Sequence, residues 1–91
     1  MKVNLSRYVQ EILKTAEYKK GEDLDCVVAV AKVLPGCITQ GGNYEEAREN
    51  LIDAIETWIL SALMDGEMLP EVNGCQLAIG HRQEESEIVN A

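Results

Sequence analysis

Ninety-one residues, 46% of them hydrophobic and 26% charged, suffice for one compact domain and are too few for two. The formal net charge of −8 is unevenly placed: residues 1–32 carry six Lys or Arg against five acids, whereas residues 33–91 carry only Arg48 and Arg82 against eleven. This balance excludes a reader of phosphate backbones, which needs clustered cations; it suits steering of a basic protein partner, or simply solubility.

The stretch from Met1 to Leu13 has no long apolar run or small-residue cleavage site. No segment approaches the roughly 20 apolar residues of a membrane span. Three cysteines, Cys26, Cys37 and Cys75, cannot all pair within the chain and match no disulfide framework. A cytoplasmic protein with reduced thiols is expected.

Leu5, Tyr8, Val9, Ile12 and Leu13 recur at i, i+3, i+4, i+7 and i+8, which predicts a helix capped by Asn4. Thr15 to Tyr18 reads as a short strand, and Lys19 to Leu24 as the polar turn of a hairpin around Gly21. Asp25 to Val33 is a Val-rich strand with two apolar faces. Val27, Ala29, Ala31 and Val33 lie on one, and Cys26, Val28 and Val30 on the other. Such a strand is expected to be covered on both sides, one by the domain's own helix and the other by the amino-terminal helix or a second subunit.

Leu34-Pro35-Gly36 breaks this strand, and Cys37 to Gly41 reads as a third. Asn43 and Glu46 form a capping-box-like pair at the start of a long helix. Its apolar stripe comprises Tyr44, Ala47, Leu51, Ala54, Ile55, Trp58, Ile59, Ala62 and Leu63. Gly66 and Pro70 end it. Asn73 to Ile79 reads as a last short strand.

The expected fold is α+β: a small antiparallel sheet with the long helix packed on one face, plus an N-terminal helix. Residues 1–80 are expected to form a single domain and 81–91 an acidic, flexible tail.

Leu34-Pro35-Gly36-Cys37, then Thr39-Gln40-Gly41, Tyr44-Glu45-Glu46-Ala47 with Asn50 and Ala54, and Gly66-Glu67-Met68-Leu69-Pro70 together resemble the HicB antitoxin family. Lys32-Val33 departs from that family's usual Pro-acid pair just before the turn. The resemblance implies a partial ribonuclease-H-like fold, usually dimeric or higher. It implies a partner as well: HicA, a small basic ribonuclease with a catalytic histidine, which HicB masks. The chain after Pro70 is short and acidic, so neither a separate DNA-binding domain nor direct nucleic-acid binding is expected.

The row Glu45, Glu49, Asp53 and Glu56 is the candidate surface for a basic partner, and a solvated helix face would look the same. Cys26, Val28 and Val30 are candidates for self-association. Trp58 with Ile55 and Ile59 is expected to be core rather than a binding stripe. A nuclease would need converging carboxylates, for which Glu17, Glu49 and Asp53 are the available acids. His81 has only Cys75 as a nearby thiol, and no CxxC spacing occurs. Neither catalysis nor a cofactor is expected. The functional expectation is an antitoxin-like masking protein, with an orphan homo-oligomeric adaptor as the alternative.

Overall fold

Asn4 ends an extended segment and starts a helix: its Oδ1 accepts the Arg7 amide at 2.8 Å, satisfying one of the donors that a helix N-terminus leaves free. The computed structural model describes residues 1–21 and 25–78. Within them the order is β1 (Lys2–Val3), α1 (Leu5–Lys14), β2 (Glu17–Lys20), β3 (Val27–Val30), β4 (Ile38–Gly41), α2 (Tyr44–Met64) and β5 (Gln76–Leu77). The expected tail 81–91, His81 and the expected strand end at Ile79 lie outside the described residues.

The α+β class is as expected, and β2, β3 and β4 form an antiparallel meander with β3 in the centre. Its registers pair Tyr18 with Ala29 and Ala29 with Thr39. One sheet face therefore carries Tyr18, Val27, Ala29 and Thr39, and the other Glu17, Lys19, Val28, Val30 and Ile38. Helix α2 covers the first face. It buries Ala47, Leu51, Ile55, Ile59 and Ala62, spaced 4, 4, 4 and 3 along one side of the helix. Fully buried Leu51 and Ile55 each contribute roughly 1.5–3 kcal/mol by leaving water.

The structure corrects several expectations. β3 stops at Val30, because Ala31 to Cys37 folds into a closed loop: Leu34 N–H donates to Ala31 O, Cys37 N–H to Leu34 O, and Ala31 N–H to Cys37 O, all within 3.1 Å. Helical spacing puts Tyr44 on the buried stripe, yet it is 58% exposed. As the first residue of α2 it reaches past the sheet, where its ring tilts against Tyr18 at 6.2 Å. The last strand does not join the meander either. β5 pairs in parallel with β1 as a separate two-stranded sheet, an element absent from the sequence expectations.

Helix α1 packs on α2 and β5, so it leaves the outer face of the meander uncovered. It is tied to the β5 hairpin by Glu11, the one charged side chain buried among the described residues. Glu11 Oε2 accepts from Arg7 Nε at 2.8 Å and Lys14 Nζ at 2.9 Å, while Oε1 accepts from Asn73 Nδ2 at 3.1 Å. These partners, Arg7 foremost, hold the carboxyl at about 2, well below its ordinary value. Asn73 itself has φ +51, and Val72 and Cys75 exchange both backbone hydrogen bonds around an Asn73-Gly74 turn.

Candidate functional site

The motif residues are consumed in building the scaffold. Leu34 and Cys37 are buried, and burial pushes the Cys37 thiol pKa up. Gly36 turns the chain with φ +81, a region that side chains with a Cβ enter at a cost. The Pro35 carbonyl accepts the indole N–H of Trp58 at 3.0 Å, which pins the loop to the middle of α2. Trp58 is half-buried and packed against the core.

Along β4, Asn50 Nδ2 donates to the Gln40 carbonyl at 2.8 Å. Gly41 lies so close to α2 that an added Cβ would stand 2.5 Å from the Ala47 nitrogen. Asn43 Oδ1 accepts the Glu46 amide at 2.8 Å, and Glu46 Oε1 accepts the Gly42 amide, a reciprocal cap displaced by one residue from the usual box. Gly66 and Glu67 donate to Leu63 O and Ala62 O, closing the C-terminus in a Schellman arrangement. The Pro70 carbonyl accepts the Tyr8 hydroxyl. Every one of these hydrogen bonds involves the protein's own backbone, so the groups that make them are spent on the scaffold.

The outer side of α2 is different. Glu45, Glu49, Asp53 and Glu56 are all exposed, on the side away from Ala47, Leu51 and Ile55. Among the described residues none of the four has a Lys or Arg nitrogen within 4.0 Å; the ion pairs present are those of Glu11 and a Glu17–Lys32 pair at 3.0 Å. Like charges at i, i+4, as in Glu45–Glu49 and Glu49–Asp53, cost a helix roughly 0.2–0.5 kcal/mol each. Only Glu45 and Glu46, in the first turn, recover part of this from the helix dipole. A cationic partner would relieve the whole row. Past Glu56 the same side turns apolar, with Leu60 and Met64 exposed.

The outer sheet face holds a second surface. Val28 and Val30 are half-buried, Ile38 is 59% exposed beside Val30, and the Glu17–Lys32 pair and Lys19 rim them. Cys26, just ahead of β3, is also half-buried. Of the three residues expected to self-associate, Val28 and Val30 thus share an open face, which Ile38 extends. The strand's second apolar face, Cys26, Val28 and Val30, signals it; the exposure of Ile38 depends on the pairing of β4 and has no signal in the sequence.

The acids that a nuclease would require do not converge. Glu17 stands on the outer sheet face, whereas Glu49 and Asp53 stand on the far side of α2, with the sheet and the core between them. Among the described residues no group of three or more His, Cys, Asp or Glu is disposed to hold a metal ion. No described helix is long and apolar enough to cross a membrane.

Comparison with known proteins places this geometry. A family profile described as UPF0150-like matches residues 7–70, a span running from α1 to the Pro70 carbonyl. The crystal structure of TTHA0281 from Thermus thermophilus superposes with a TM-score of 0.77 at 30% identity, covering 85% of this chain and 95% of that one. No curated protein sequence matches the chain.

Proposed function

The chain belongs to the UPF0150-like family, and from that premise we propose that it is a non-catalytic, HicB-type antitoxin-like protein that binds and masks a small basic ribonuclease of the HicA type. The observation that carries this reading is the exposed carboxylate row Glu45, Glu49, Asp53 and Glu56, without an ion pair among the described residues and set on the outer side of a helix whose inner side is fully used by the core. A rigid row of negative charge attracts a cationic protein at long range and can cover its active site on contact. The HicB-like motif supports the choice of partner. Masking requires no chemistry from this chain.

Affinity capture of the tagged chain from its native cells, at low and high salt, tests the reading. A small basic protein is expected at low salt and is partly shed at high salt. Replacing all four row residues with Lys should abolish its recovery; recovery at wild-type levels would sink the assignment.

The apolar outer face of Val28, Val30 and Ile38 favours a second reading, an orphan homo-oligomeric adaptor without a toxin. Its mixed-charge rim of Glu17, Lys19 and Lys32 can meet a second copy without the repulsion that the acidic surfaces would produce. Capture that returns only the chain itself supports this alternative.

A further inference from the structure

Among the described residues, five of the seven exposed large hydrophobic side chains, Met1, Leu5, Leu60, Met64 and Met68, come from the chain's start and from the C-terminal end of α2 with its exit. Between them run two adjoining cavities of about 390 and 300 Å³ that share Leu63 and Leu77. The first continues to Leu5 and Leu60, and the second to Met68 and Leu69. Together they form an apolar trough between α1, α2 and β5.

We propose that this trough is the docking site for an amphipathic, cationic helix of a protein partner. Three features select that occupant. The trough runs beside the last turns of α2, from Glu56 to Leu63, about 10 Å of helix rise, which matches about two turns of a partner helix. Its α2 positions Glu56, Leu60 and Leu63 follow spacings of 4 and 3, the repeat by which one helix seats along another. Charge decides the rest: Glu56 is the last of the carboxylate row and opens directly into the trough, so a bound helix would carry apolar side chains over Leu60 and Leu63 and extend Lys or Arg toward Glu56, Asp53 and Glu49. A second copy of this chain fits less well, since its trough offers Glu56 and Glu67 against a single cation, Lys2, on a chain of net charge −8. The inference rests on the protein-binding reading above and names the partner's element and the place where it sits.

The test uses the full chain and a synthetic helical peptide with leucines at the a and d positions of one half and lysines in the other. A peptide with the same lysines and serines for leucines is the control. Fluorescence anisotropy should show the leucine peptide binding at least about tenfold more tightly than the control, the expected return from burying leucine-sized side chains. Leu60→Glu, at an exposed position, should cost about tenfold or more with an unchanged far-ultraviolet circular dichroism spectrum. Asp53→Lys with Glu56→Lys should weaken binding and flatten its salt dependence. Equal binding of the two peptides, or indifference to Leu60→Glu, overturns the proposal, as does a wild-type dimer that Leu60→Glu converts to monomer. Capture of a basic protein whose binding ignores Leu60→Glu would sink the trough and leave masking standing. Peptide binding at the trough with no basic protein recovered would do the reverse.

Discussion

Tyr8 and Pro70, 62 residues apart, are joined by a single hydrogen bond: the fully buried Tyr8 ring sends its hydroxyl to the Pro70 carbonyl at 2.5 Å. A proline at this place ends the α2 exit, and its carbonyl, on a half-buried residue, takes the phenol as its donor. Removing only the hydroxyl in Tyr8→Phe should cost about 1 kcal/mol, read as a lower urea midpoint with an unchanged slope. An unchanged midpoint would show that water replaces the phenol.

Glu11 makes folding depend on acidity. Its carboxyl sits at about 2 against an ordinary 4.5, so it is depressed in the folded protein. The stability it contributes is complete above pH 4.5 and is lost as the pH falls toward 2. Glu11→Gln should therefore lower the urea midpoint at neutral pH and remove part of the acid-induced loss between pH 4.5 and 2. Parallel curves for the two proteins would show that Glu11 carries no such linkage.

Gly41 is held by space. Its absent Cβ would meet the Ala47 nitrogen and Cα and the Glu46 carbonyl carbon, all within 2.9 Å, and these are backbone atoms that cannot step aside. Gly41→Ala should cost about 1–3 kcal/mol by prying α2 from β4. Gly42→Ala, whose Cβ would meet only the Glu46 carboxylate at 3.4 Å, should cost much less. Equal losses in thermal melts would contradict this account.

Both helices and the three-stranded meander were legible in the sequence, because their periods of 3.6 and 2 recur for several turns or residues. β1 and β5 were not: two-residue strands have no period, and parallel pairing brings together segments 74 residues apart in register. The Asn73-Gly74 turn carried its dipeptide signature but sat inside a segment that reads as extended. The spacing of Arg7, Glu11 and Lys14 was visible, while the burial of Glu11 depends on Asn73, a partner from the far end of the chain. Of the candidate surfaces, the acidic row followed from helical spacing alone. The trough did not, since Leu5, Leu63 and Leu77 meet only after α1, α2 and β5 have packed.

The outer sheet face yields a prediction separate from the trough. If copies of the chain pair through Val28, Val30 and Ile38, Val30→Lys should lower the mass seen in sedimentation while leaving the helical signal intact. Leu60→Glu should leave that mass unchanged. A wild-type monomer at the highest soluble concentration would refute pairing through this face.

Helix α2 divides two duties between its sides. Inward, Ala47, Leu51 and Ile55 lock the scaffold, and Asn50 and Trp58 stitch it to β4 and to the loop before β4; outward, no side chain of the acidic row takes part in that locking. Replacement of the outward set would then re-address the protein to another partner at little risk to the fold. Two chains that share every motif residue can accordingly bear the same architecture and answer to different proteins. The motif is a guide to shape, and kinship of partner is to be sought in the row, of which the motif includes only Glu45.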